Sequence, residues 1–406
     1  MSEEKYKTKV FDRAEEEELR AEKDAPAEET APPGDAAADH AEAEPPAAGS
    51  AGSGKPVRRI RRWQKIVIGV LAVLLLVLGG GYFFTMNKLD KIKKDNDLDL
   101  SSLTTVQVPG YRNIVLLGID TRDMSVIEGT RSDTIMIASI NETNKAVKVT
   151  SIYRDTLMKM GDWDNYEKAT HAHAYGGAEM TLQTINQAMD IDATEYILFN
   201  FKAVADAVNA VGGLEIDVLE YEVDELNRIT KHTAGVLGVS DYALCDGPGM
   251  QTLDGVQAVA YGRIRKGVGD DYKRTQRARD VMELLLKKVR GMSVADLNKI
   301  LDIVLPQIRT NLTNTQILDL MADINKYEVV DSFGFPFQKY AMYIDDVSVV
   351  VPLDWEADVT RWHEKTFGET EYQISPQAKE ISDHIKQELL DEGRPEEDSY
   401  DEEYGY

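Results

Sequence analysis

The chain has 406 residues, with 46 Lys and Arg against 71 Asp and Glu, a formal net charge of −25 and a hydrophobic fraction of 43%. That length allows two or three domains of about 100–200 residues, and the charge disfavours nucleic acid, whose affinity rests on neutralised phosphates. The single cysteine, Cys245, excludes an internal disulfide framework and any multi-thiolate metal site.

The charge is unevenly spread. Residues 1–55 hold 15 acids and 7 bases, a net of −8. Residues 25–54 are mostly Ala, Pro, Glu, Gly and Ser, and such a stretch cannot bury enough surface to offset the entropy of ordering. It reads as a disordered solvated tail, with a regulatory or protein-binding tail as the alternative. Next come Arg58, Arg59, Arg61, Arg62 and Lys65, then the uncharged run IVIGVLAVLLLVLGGGYFF at 66–84. Its 19 residues span the ~30 Å hydrocarbon core at ~1.5 Å per residue. Trp63 and Tyr82 lie near its two ends, where amphipathic rings favour the interface. A cleaved signal peptide is the weaker reading, because a long segment precedes the run and no A-x-A site follows. The bases on its N-terminal side place the N-terminus in the cytoplasm and all that follows residue 86 outside.

Farther on, NIVLLGI (113–119) is a continuous apolar run of the kind a buried strand shows. DTIMIASI (133–140) and AVKVTSI (146–152) predict two more strands joined by the polar turn NETNK. After Tyr175-Gly176-Gly177, AEMTLQTINQAM has helical spacing, and EYILFNF (195–201) is strand-like. KAVADAVNAVGG predicts a helix stopped by Gly212-Gly213. LEIDV (214–218) and AVAYGRIR (258–265) are strand-like, and a long helix is expected from Arg274 to Gly291. Two helices should lie between 294 and 327. In the acidic C-terminal region, Ile381, Ile385 and Leu389 predict one amphipathic helix beginning near Ser375-Pro376. Strands alternating with helices give an α/β fold, with a mixed central sheet and helices on both faces, an α/β/α sandwich preceded by one transmembrane helix.

Asp120 follows the first strand, at the edge where ligands bind in open α/β sheets. Arg131 and Asp133 open the next strand, and Arg154-Asp155 follow the third. Arg263 and Arg265 have the i, i+2 spacing that would put both guanidiniums on one strand face. Asp270 and Asp271 follow, then Arg274 and Arg277 at i, i+3 on one helical face. Residues 263–290 hold ten bases and four acids, a local +6 in a chain of −25. Arginines suit bidentate capture of phosphate oxygens. Carboxylates among them suit a hard divalent cation bridging to phosphate, with Mg²⁺ the natural candidate. An Arg–Asp ion-pair network between strands is the plain alternative. His171 and His173 lack a third nearby His or Cys, so they read as structural or substrate-lining rather than zinc ligands. Cys245 reads as structural, and no P-loop, G-x-S-x-G elbow or HExxH is present.

Taken in order, NIVLLGID (113–120), GTRSDTIMIASI (129–140), VTSIYRD (149–155), KATHAHAYGG (168–177), FNFKAVADAVNAVGGLEIDV (199–218), LDGVQAVAYGRIRK (253–266) and DDYKRTQRARDVM (270–282) resemble the LytR-CpsA-Psr family of cell-envelope proteins. The resemblance implies a membrane-anchored phosphotransferase at the outer membrane face of Gram-positive bacteria. It would move a glycopolymer, such as teichoic acid or capsule, from a polyprenyl-pyrophosphate carrier to a muramic acid hydroxyl of peptidoglycan. By the same resemblance Asp120 and Asp133 match the Mg²⁺ carboxylates. Arg131, Arg154, Arg263, Arg265 and Arg274 match the arginines that grip pyrophosphate, with Arg277 beside them. Asp271 matches an acid near the acceptor that can serve as general base, so Asp271, Arg131, Arg263 and Arg265 are the catalytic candidates. Two departures stand out: Tyr153 replaces the Pro often found before Arg154, and Ala278 replaces a Gln that contacts phosphate, unless Gln276 or Arg279 substitutes. The family also houses its lipid tail in an apolar pocket. A lipid-pyrophosphate hydrolase and a non-catalytic lipid-pyrophosphate-binding regulator are the competing functions, and a DNA-binding regulator is the least favoured.

The expected organisation is therefore a cytoplasmic acidic tail with a basic end (1–62), a transmembrane helix (63–86), an extracellular linker (87–108), a catalytic domain (109–363) and an acidic, partly helical tail (364–406).

Overall fold

A computed structural model describes residues 88–391, save 97, 122–123, 266–269 and 345. The expected N-terminal tail, the apolar run and its basic flank, and the last acidic stretch lie outside the described residues. No helix among the described residues is long and apolar enough to cross a membrane.

The strands are β1 (Lys93–Lys94), β2 (Tyr111–Ile119), β3 (Ser132–Asn141), β4 (Ala146–Ile152), β5 (Leu157–Lys159), β6 (Tyr166–Lys168), β7 (Glu195–Asn200), β8 (Leu214–Val218), β9 (Gly249–Leu253), β10 (Ile308–Thr310), β11 (Glu328–Phe335), β12 (Lys339–Ile344) and β13 (Val347–Pro352). The α-helices are α1 (Ala169–Met189), α2 (Phe201–Ala210), α3 (Val223–Leu237), α4 (Gly255–Tyr261), α5 (Asp270–Val289), α6 (Val294–Val304), α7 (Asn314–Ala322), α8 (Trp355–Phe367) and α9 (Pro376–Asp391).

Seven strands form one mixed sheet in the order β1-β10-β7-β2-β3-β4-β11. β2 runs parallel to β7 and antiparallel to β3, and β4 runs antiparallel to β3 and parallel to β11. The pleat explains why the central runs of β2 and β3, IVLLGI and IMIA, are apolar without alternation. Val115, Leu117 and Ile119, with Ile135 and Ile137, enter the main core beside residues of α1, α8 and α9. Ile114 and Leu116, with Met136 and Ile140, enter a second core beside Ala278 and Met282 of α5 and Leu320 of α7. Helices thus cover both sheet faces, as a continuous apolar strand requires.

A third core joins the antiparallel β8–β9 pair to α3, α4 and one side of α5. LEIDV is a strand, but it pairs with β9 outside the main sheet. The strand expected at 258–265 is a correction. Asp254 caps this segment, accepting from Gln257 N at 2.9 Å while Gln257 Oε1 accepts from Asp254 N at 3.0 Å, and α4 follows. Every residue of α4 is buried, so its sequence lacks the amphipathic period that separates helix from strand. Gly255 lets α4 cross α2 closely, since a Cβ there would lie 2.0 Å from the Ala205 carbonyl oxygen. The long helix also starts earlier than expected, at Asp270. α1 likewise begins before Tyr175, with its kink at Gly176 and Gly177, the latter at φ 63°.

Candidate active site

One edge of the sheet gathers the charged residues, and register explains why. Ile119 at the end of β2 pairs with Ser132 at the start of antiparallel β3 and with Asn200 at the end of parallel β7. Ile152 at the end of β4 pairs with Ile135. Asp120, Arg154 and Phe201, at the carboxyl ends of three strands, therefore emerge together beside Asp133 at the start of β3. The β2–β3 register shifts between Gly118 and Ile119, an irregularity of the kind that re-aims side chains beside sites.

A cavity of about 290 Å³ opens at this edge. Asp133 and the β4 end form one wall, and Arg263 and Arg265 line it from the segment after α4, with Arg274 and Ala278 from α5. Arg154 Nη1 donates to Asp133 Oδ1 at 2.6 Å, and its Nε lies 3.5 Å from Asp155 Oδ2. Arg263 Nη2 lies 3.7 Å from Asp120 Oδ2, while Nη1 donates to Thr233 Oγ1 at 3.0 Å. The Phe201 ring sits under the same guanidinium, 4.8 Å from its carbon. Burial draws the Arg263 pKa down, and the charges of Asp120 and Asp133 oppose the shift. An arginine still stays charged under such pressure, so the cavity keeps a cation beside two carboxylates.

Arg263 and Arg265 come from the turn after α4 rather than from a strand. Ile264 between them is fully buried, so the two arginines still face outward together. Arg277 is placed elsewhere than expected, which is a correction to its pairing with Arg274. Its Nη2 lies 2.7 Å from Glu222 Oε1, both side chains are buried, and Nη1 donates to the Ile264 carbonyl at 3.2 Å. Arg277 does not line the cavity but pins the segment carrying Arg263 and Arg265. Arg131 is exposed on the loop before β3 and is not part of the cavity wall. The neighbouring Thr130 carbonyl is held at 2.8 Å by buried His173 Nδ1. Asp271 belongs to the first turn of α5, and its side chain lies outside the described residues. Ala278 lines the cavity, whereas neither Gln276 nor Arg279 does.

α3 adds residues that were not anticipated: Arg228, Ile229 and His232 line the cavity. Arg228 is held by a bidentate pair to Glu225, at 2.7 and 2.6 Å. The signal was present in the sequence, because Leu226, Ile229, Thr230 and Thr233 recur at helical spacing and are buried, leaving Arg228 and His232 one turn apart on another face.

The donor chemistry fits a hard cation. Asp120 and Asp133 offer carboxylate oxygens at neighbouring strand ends, with side chains 41% and 30% exposed. No group of three or more His, Cys, Asp or Glu among the described residues could hold a metal by itself. Mg²⁺ is commonly held by one or two carboxylates, with phosphate and water oxygens completing the shell.

The LytR_cpsA_psr family pattern matches residues 81–363. The chain belongs to the LytR_cpsA_psr family. Its relatives in that family include polyisoprenyl-teichoic acid–peptidoglycan teichoic acid transferase TagT of Bacillus subtilis strain 168, 29% identical over 71% of this chain and 91% of the relative. The corresponding transferase TagU of Enterococcus faecalis is 31% identical over 61% of this chain and 78% of the relative. The crystal structure of B. subtilis TagT superposes with a TM-score of 0.50 at 25% identity, covering 68% of this chain and 99% of that one. The fold shared with TagT is the mixed sheet with its flanking helices.

Proposed function

We propose that this chain is a membrane-anchored phosphotransferase that moves a glycopolymer from a polyprenyl-pyrophosphate carrier to peptidoglycan outside the cell. The single observation that carries this reading is the convergence of Arg154, Arg263, Arg265 and Arg274 with Asp120 and Asp133 at one sheet edge. Family membership and the relatives' transferase names support it. The apolar run at 66–84 and its basic N-terminal flank support a single-pass anchor with the N-terminus inside.

A pyrophosphate donor repels an incoming hydroxyl until its charge is neutralised. Arg263, Arg265 and Arg274 bind its oxygens and stabilise charge developing on the leaving polyprenyl phosphate. Arg154 is oriented for the same task by Asp133. Asp120 and Asp133 would hold Mg²⁺, which supplies further charge neutralisation when bound. Asp271 would accept the proton of the attacking sugar hydroxyl. The new bond joins that oxygen to the polymer-side phosphorus, the pyrophosphate P–O bond breaks, and polyprenyl phosphate departs.

The test is full-length protein in liposomes, supplied with lipid-linked polymer and peptidoglycan oligosaccharide. Polymer joined to the acceptor by a phosphodiester is the expected product. Release of free polymer, or no turnover in the presence of Mg²⁺, overturns the reading.

A further inference from the structure

Resting on that transferase reading, we propose that Lys339 is a positioning residue whose ammonium joins the rings of Tyr153 and Tyr272 and thereby fixes Arg154 and Arg274 around the donor. Lys339 opens β12, remote in sequence from every residue of the cavity. Its Nζ lies 4.8 Å from the Tyr153 ring centroid and 4.6 Å from that of Tyr272. The two rings meet edge to face at 4.8 Å and 68°. Tyr153 directly precedes Arg154, and Tyr272 stands two residues before Arg274 in the first turn of α5. One ammonium therefore ties the end of β4 to the start of α5, the two elements that present these arginines. Tyr153 is itself seated firmly. Its N–H donates to the Phe335 carbonyl at 3.1 Å, and its hydroxyl occupies the space where a Cβ on Gly334 would stand.

Packing alone does not account for a lysine here. Burial lowers its pKa to about 8, with Arg279 adding to the shift and Asp358 opposing it. The groups around it are costly too. Arg279 is 4% exposed, with Nε and Nη1 lacking a hydrogen-bond partner among the described residues. Burial raises Asp358, whose own charged neighbours are Lys339, Arg361 and Asp354, to about 7. An apolar side chain of similar length would remove part of this cost. A protein that keeps charges at such a place trades stability for the geometry they impose. The attraction to the two rings exists only while the amine is protonated. The clamp is therefore present below pH about 8 and is lost as pH rises through that value.

The experiment compares wild type, Lys339→Met and Lys339→Arg as full-length proteins in liposomes, measuring transfer kinetics from pH 6.5 to 9.5 and thermal unfolding at pH 7. Misplaced binding groups cost up to roughly 100-fold in rate. Lys339→Met is expected to lose about 10- to 100-fold in kcat on that scale, with a Tm equal to or above wild type. Wild type is expected to lose turnover as pH rises through about 8, and Lys339→Arg to restore most of the turnover and to abolish that alkaline fall. Turnover of Lys339→Met indistinguishable from wild type, or a loss that Lys339→Arg does not rescue, overturns the clamp alone. A wild type unable to transfer polymer overturns the transferase reading, and the clamp with it.

Discussion

Arg154 and Asp133 are joined by a 2.6 Å hydrogen bond across the ends of two antiparallel neighbours, β4 and β3. The pair holds Arg154 beside Asp133, which lines the cavity, and still leaves Asp133 partly exposed. Asp133→Asn should therefore weaken both the orientation of Arg154 and the hold on a cation. Losing one group that stabilises transition-state charge costs about 10²–10³ in kcat. Asp133→Asn and Asp120→Asn are each expected to raise the Mg²⁺ concentration giving half-maximal transfer. Unchanged Mg²⁺ titrations in both variants would remove these carboxylates from the metal site.

Ala278 lines the cavity, so a longer polar side chain at this position would extend toward its contents. Ala278→Gln is expected to tighten binding of a polyprenyl pyrophosphate by about tenfold or more, since one hydrogen bond to a charged group contributes about 1.5–3 kcal/mol and about 1.4 kcal/mol is tenfold in Kd. Calorimetric titration checks this, and an unchanged or weaker Kd counts against it.

The Arg277–Glu222 pair is structural. Arg277→Met leaves a carboxylate that is 2% exposed without its cation, and breaking a buried pair from one side costs about 3–5 kcal/mol. Denaturant unfolding should show that loss, and the double variant Arg277→Met/Glu222→Leu should recover most of it.

Gly334 faces the Tyr153 hydroxyl, with a Cβ–oxygen approach of 2.0 Å if any side chain were added. Gly334→Ala is expected to cost about 1–3 kcal/mol, as overpacking does. Adding Tyr153→Leu should relieve the clash and restore part of the midpoint.

Asp358 predicts a pH dependence. Its folded pKa, about 7, lies above the ordinary carboxylate value of 3.8 because burial disfavours the anion. The folded state therefore binds more protons between these values, so this group's stabilising effect is full below pH 3.8 and is lost as pH rises through 7. Asp358→Asn should be more stable than wild type at pH 8, and the advantage should shrink toward pH 5. A constant difference across that range would contradict the assignment.

The site was legible in outline because strand ends announce themselves. Asp120 and Arg154 each follow an apolar run, and register then brings them to one edge. What failed to show was direction within helices. Arg274 and Arg277 share a helical spacing, yet Arg274 lines the cavity and Arg277 turns to Glu222 on the 3-10 turn before α3. Only the position of that partner decides which arginine meets a ligand, and no local pattern carries it. The fully buried helix α4 concealed its type for the same reason that made it apolar. The Lys339 contacts with Tyr153 and Tyr272 were invisible because they join residues far apart in the chain.

Helix α9 bears on where the folded unit ends. The family match stops at His363, but Ile381, Ile385 and Leu389 of α9 belong to the main core beside Trp355 and Leu182. Ser375 also caps that return, its Oγ and N–H both bonded at 2.6 Å to Asp190 at the end of α1. The segment recognisable by descent and the segment able to fold are thus of different lengths. A chain cut at the family boundary would leave an apolar groove open along α1, and self-association through that groove is the outcome to expect.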